Sequence, residues 1–176
     1  MAAPVTSIQV IKDTTEHAII KLTASFDGTG QESNNSRIAA NTLYGALATN
    51  GYLVANNQGG AANTALSYYG LTLHRLWYDC AAGGDVQLYW QATSPLPLII
   101  MNGNGEYDGA GNWVTIPNAA KDTTQCNGDI GIRTRGFGAN TAYTILVELR
   151  KHNEYYQRGQ FNDPAAFNYG EYSIRP

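Results

Sequence analysis

Charge is scarce in this chain. Only 14 % of its 176 residues are charged, against about 25 % in an average soluble domain, and no run of basic residues occurs. With a net charge of −3 and an isoelectric point near 5.5, it lacks the basic stripe that nucleic-acid binding needs. No nucleic-acid partner is therefore expected. Cysteine is equally sparse. Cys80 and Cys126 stand alone with no C-x-x-C pattern, which excludes a disulfide framework or a zinc ribbon. Two buried thiols are expected ahead of a single disulfide. The longest purely aliphatic stretch, Leu98-Ile99-Ile100-Met101, falls far short of the roughly 20 residues of a membrane span, so no membrane contact is expected. The opening MAAPVTSIQV lacks a basic region followed by an apolar stretch, which points to synthesis in a cytoplasm.

Catalytic patterns are missing too. His17, His74 and His152 are far apart in sequence, and none has metal-ligand spacing with a cysteine or another histidine. No G-x-S-x-G elbow is found. Gly28-Thr29-Gly30 ends a strand pattern without the dinucleotide-binding spacing and reads as a turn. Asp27, Glu32, Glu106 and Asp108 lie in Gly- and Asn-rich segments, but as isolated acids outside any EF-hand pattern, so turn chemistry explains them better than calcium. No glycosidase carboxylate pair can be nominated. The sequence thus nominates no catalytic residue, no metal ligand and no cofactor, and a non-enzymatic protein is expected.

What is present is alternation. Ala18, Ile20, Leu22, Ala24 and Phe26 point one way, with Ile19, Lys21, Thr23 and Ser25 between them. That period of two marks a half-buried strand. The same pattern recurs in Val86–Trp90 and Tyr143–Arg150. It also recurs in Leu71–Tyr78, where Leu71, Leu73, Arg75 and Trp77 form one row. Weaker strands are expected at Thr6–Ile11, Leu98–Met101, Trp113–Ile116 and Asp129–Arg135. Some eight strands punctuated by Gly, Asn and Asp predict an all-β antiparallel sandwich with jelly-roll or related Greek-key wiring. One short helix at most is expected, capped by Ser36 and running to about Leu47. Asn102 to Asn112 reads as a hairpin tip, and Gly28–Asn63 as a long connection that contacts something.

Residues 1–151 form the sandwich on this reading, and 152–176 a distinct extended arm. The arm holds six of the chain's 19 aromatic residues at no regular spacing, interrupted by Pro164. Tyr155, Tyr156, Phe161, Phe167, Tyr169 and Tyr172, with Arg158 and Arg175, are the residue types enriched at interface centres. They are the candidate assembly interface, expected to lodge on neighbouring subunits. Among the tryptophans, Trp77 and Trp90 fall in phase with apolar rows and are expected in the core. Trp113 follows a Gly-rich turn and is the candidate for stacking a ligand.

The stretches HAIIKLTASFDGTGQESNNSRIAANTLYG (His17–Gly45) and LSYYGLTLHRLWYDC (Leu66–Cys80) resemble minor structural proteins from virions of tailed bacteriophages, including cyanophages. The resemblance covers roughly the first half of the chain and carries no residue-level motif. It implies a β-rich accessory virion protein, a capsid decoration or cement protein stabilising the head through inter-subunit contacts. The major capsid protein or other virion proteins would be its partners. A homo-oligomer, trimer or higher, is expected, assembled in the host bacterial cytoplasm and located in the virion. Two alternatives stand beside this: a neck, tail or baseplate component, and a carbohydrate-binding sandwich for host attachment.

Overall fold

A computed structural model of the chain describes residues 3–46, 70–109, 111, 115–119 and 126–152. Among these residues ten strands carry the fold: β1 (Val5–Asp13), β2 (His17–Asp27), β3 (Ser33–Ile38), β4 (Leu71–Cys80), β5 (Asp85–Trp90), β6 (Leu96–Asn102), β7 (Asn104–Asp108), β8 (Ile116–Pro117), β9 (Ile130–Arg135) and β10 (Ala139–Lys151). They form two antiparallel sheets. The larger runs β1-β2-β10-β4-β7, with β8 also paired to β4, and the smaller runs β3-β9-β5-β6. Inward rows from both sheets make one core, in which Ile20, Leu22, Leu88, Trp90, Ile132, Ile145 and Val147 are fully buried. The chain is an all-β sandwich, as its alternation predicts.

The wiring is that of a rolled hairpin. Its four arms pair as β2 with β10, β3 with β9, β4 with β7, and β5 with β6. Additional pairings of β10 with β4 and of β9 with β5 close the two sheets. This order, 2-10-4-7 over 3-9-5-6, is the jelly roll, with β1 added beyond β2.

Three local expectations need correction. The helix expected from Ser36 is instead the end of β3 followed by a single 3-10 turn, Ala40–Thr42. Buried Asp129 draws this segment in. It accepts from the Ala40 amide at 2.8 Å and also from the Ser36 hydroxyl, so Ser36 serves another strand rather than a helix end. The segment from Asn102 is no hairpin either. β6 and β7 belong to different sheets, and the chain crosses between them at Gly103, whose φ of +67° favours glycine. Third, β4 changes phase midway. Its pairing to β10 shifts between Leu73 and Arg75, a bulge at His74 that turns Leu76 inward and leaves Trp77 45 % exposed. Trp77 is therefore not a core residue, whereas Trp90 is.

A buried polar network joins the sheets. Glu32 lies just before β3, and its Oε1 sits 3.1 Å from Arg37 Nε. Tyr143 donates its hydroxyl proton to Glu32 Oε2 at 2.5 Å. Arg37 Nη2 donates to the carbonyls of Ser7 at 2.7 Å and Thr23 at 3.1 Å, tying β3 to β1 and β2. Burial pushes the Glu32 carboxyl above its ordinary value, against the lowering effect of Tyr143 and Arg37. Burial, then the Glu32 charge, pushes the Tyr143 hydroxyl up.

Removing one partner of such a pair leaves an uncompensated buried charge. Arg37→Ala is expected to cost about 3–5 kcal/mol in urea unfolding, and the joint replacement Glu32→Met with Arg37→Leu to cost less. Because the folded Glu32 carboxyl binds its proton more tightly than the unfolded one, its contribution is full below pH 4.5 and is lost as pH rises through the elevated folded value. The stability advantage of the wild type over Glu32→Gln should accordingly widen on acidification from neutral pH towards 4.5.

Candidate functional site

Two surfaces stand out. The first is the outer face of the larger sheet, where register sets the side chains in rows across four strands. Lys21, Leu146, Trp77 and Glu106 form one row, and Ile19, Glu148, Arg75 and Asp108 the next. Between these rows lies an open groove of about 370 Å³, with Trp77 and Leu146 on one side and Arg75, Asp108 and Glu148 on the other. Arg75 Nε is 3.0 Å from Asp108 Oδ1 and 3.9 Å from Glu148 Oε2. With Arg75 over half exposed and Asp108 over a third, this pair adds little to stability and instead fixes where the guanidinium stands. Asp108 also accepts from the Gly111 amide at 2.9 Å, which pins its carboxylate.

Beyond Arg75 the same face gathers two histidines around Glu148. Glu148 Oε1 lies 3.1 Å from His17 Nδ1 and 3.3 Å from His74 Nδ1, and the two rings are 5.2 Å apart at 54°. His17 is held by the turn before β2, where its amide and carbonyl both bond Thr14. His74 is placed by the bulge, which turns it and Arg75 towards the same face. Spacing along the chain gives no hint of this meeting, because it arises only when β10 enters between β2 and β4.

The second surface is β1. Eight of its nine residues are exposed, on both faces. Ile8 and Val10 are in register with the buried Leu22 and Ile20 and so face the core side of the sheet. The smaller sheet ends short of them, however, and they are 46 % and 52 % exposed. Val5 and Ile11 are exposed as well.

On the outer face of the smaller sheet, Tyr89 lies against Gly131, where an added Cβ would meet the ring at 2.3 Å. Its hydroxyl donates to Asn35 Oδ1 at 2.8 Å, and the Arg133 guanidinium lies 4.7 Å from the ring centre. Cys80 and Cys126 are both buried, and burial raises the Cys80 thiol to about 11, which makes it a poor nucleophile at neutral pH.

The sequence-nominated residues Tyr155, Tyr156, Arg158, Phe161, Phe167, Tyr169, Tyr172, Arg175 and Trp113 all lie outside the described residues. No protein-family model matches the chain, and no curated protein matches it.

Proposed function

We propose that this chain is a structural subunit of a larger protein particle: an accessory virion protein of the decoration or cement type, in the setting the resemblance implies. The observation that supports it best is β1. Among the described residues this strand has a neighbour on one side only. It presents a nine-residue edge with exposed Val5, Ile8, Val10 and Ile11. Proteins that work as monomers blunt such edges with charge, proline or short length. Here Lys12 and Asp13 guard the last two positions and a bulge at Ile11 bends the strand just before them, which leaves Val5 to Val10 as a plain edge.

The occupant is a second copy of this chain. Antiparallel pairing about Gln9 sets Ile8 opposite the second copy's Val10, and Val10 opposite its Ile8. That makes a cluster of four β-branched side chains on one face, of the kind that stabilises strand pairs, in a self-complementary contact. Two larger sheets then become one continuous sheet. Low overall charge suits a surface that spends its life against other protein. Repetition over many copies turns modest contacts into firm attachment by avidity, to the major capsid protein as well as to sister copies.

Ile8→Lys with Val10→Lys changes only exposed side chains. Folding should stay within about 1 kcal/mol of the wild type, while self-association in sedimentation or light scattering weakens at least about tenfold. A wild-type chain that stays monomeric at high concentration would count against the reading.

The groove favours a second reading, a carbohydrate-binding sandwich. An exposed indole beside Arg75, Asp108 and Glu106 offers a flat apolar face next to polar partners, the combination that suits a sugar ring and its hydroxyls. On this reading Trp77→Ala should abolish binding on a glycan array while leaving the fold intact by circular dichroism.

A further inference from the structure

We propose that His17, His74 and Glu148 form a binding site for one divalent transition-metal ion of the zinc class. The site is independent of the assembly role argued for β1.

Geometry carries the proposal. Zinc bonds to imidazole nitrogen and carboxylate oxygen are about 2.0–2.2 Å long, so a tetrahedral ion sets its ligand atoms about 3.3–3.5 Å apart. Glu148 Oε1 already stands 3.1 Å from one imidazole nitrogen and 3.3 Å from the other. All three ligand atoms lie within 4.8 Å of one another, so closing the third edge takes a modest turn of either ring.

A purely hydrogen-bonded cluster accounts for only half of this. His74 Nδ1 meets Glu148 Oε1 as a hydrogen bond. His17 Nδ1 does not. It is shut off from solvent and has no hydrogen bond of acceptable geometry, although the carboxylate is close by. Its close polar neighbour is Glu148 Oε1 at 3.1 Å, and an ion seated among the three atoms gives both ring nitrogens and that oxygen a common partner. Among the described residues Arg75 is the arginine beside Glu148, 3.9 Å from its other oxygen, and it is tied to Asp108 at 3.0 Å. Its charge is thereby offset, and Oε1 is left to the two histidines.

The donor set selects the metal. Two imidazoles and one carboxylate suit zinc, iron(II), nickel or copper, whereas magnesium and calcium demand oxygen ligands. The backbone frame is rigid, since the three residues sit on three adjacent strands at the centre of the larger sheet. Three protein ligands leave one tetrahedral position for water or for a group offered from the groove, which Glu148 also lines.

The test uses the untagged full-length chain, stripped with chelator and titrated with zinc chloride and, in parallel, magnesium chloride in a calorimeter. Zinc should bind with one ion per chain, and the melting temperature should rise by about 5–10 °C at a hundredfold excess over Kd. Magnesium should do neither. His17→Ala and His74→Ala should each weaken zinc binding at least about tenfold. Both side chains are partly exposed, so these variants should fold, as circular dichroism will show. In the wild-type chain, zinc should move the imidazole NMR signals of His17 and His74 and leave those of His152 in place. Absent heat and an unchanged melting temperature overturn the proposal, as does a His17→Ala/His74→Ala double variant that binds zinc like the wild type.

Discussion

The architecture depends on where β10 goes. It is the longest of the described strands, and it lies between β2 and β4, paired to both along most of its length. One row of its side chains, Tyr143, Ile145, Val147 and Leu149, fills the core. The alternate row, Leu146 and Glu148, builds the outer face. A slip of one residue would exchange the two rows. The end of the strand holds the register in place. The Lys151 side chain is fully buried and donates to the carbonyls of Thr14 at 2.6 Å and Tyr44 at 2.7 Å, as well as to the Asp13 carboxylate. Burial lowers the affinity of this lysine for its proton and the Asp13 contact restores part of it. A buried ammonium tolerates few other positions, so it specifies register more than it adds stability.

The unequal size of the sheets follows from the same plan. The rolled hairpin accounts for eight of the ten described strands, four per layer; the two-residue β8 is a short addition beside β4, and β1 is the long one. β1 extends the larger sheet past the rim of the smaller one, so among the described residues its core-facing side chains find no opposing layer. Ile8 and Val10 have the residue types of a core and the exposure of a surface. The Arg37 guanidinium, reaching from β3 to the Ser7 and Thr23 carbonyls, is where the smaller sheet takes hold of this rim. Beyond it lies an apolar remainder of exposed Val5, Ile8, Val10 and Ile11.

Much of this was legible in the sequence. The alternation in β2, β5 and β10 is uninterrupted, and it gave the fold class and most of the core. β4 shows where pattern reading stops. Leu71, Leu73, Arg75 and Trp77 form an even row only if the strand is regular, and a single bulge at His74 reverses the row from that point on. No propensity marks a bulge, because its cause is the fit against β10. Ser36 misled in another way. It has the chemistry of a helix cap, but Asp129, some ninety positions away in the chain, claims its hydroxyl. The meeting of His17, His74 and Glu148 was beyond reach for the same reason. Each is unremarkable within its own strand, and only strand order unites them. A rule that asked which histidines sit on the two strands that flank the last strand of a jelly roll would have found two of the three.

The position of β10 also bears on how the protein is made. Synthesis delivers β1, β2 and β4 long before the strand that separates and joins them. Until roughly residue 151 has left the ribosome, β2 and β4 have no common neighbour, and the row from Ala18 to Phe26 has half its cover missing. The larger sheet therefore cannot close piecemeal on a growing chain. A nascent chain stalled short of β10 would expose long apolar strands to whatever lies nearby, nascent copies of the same chain included.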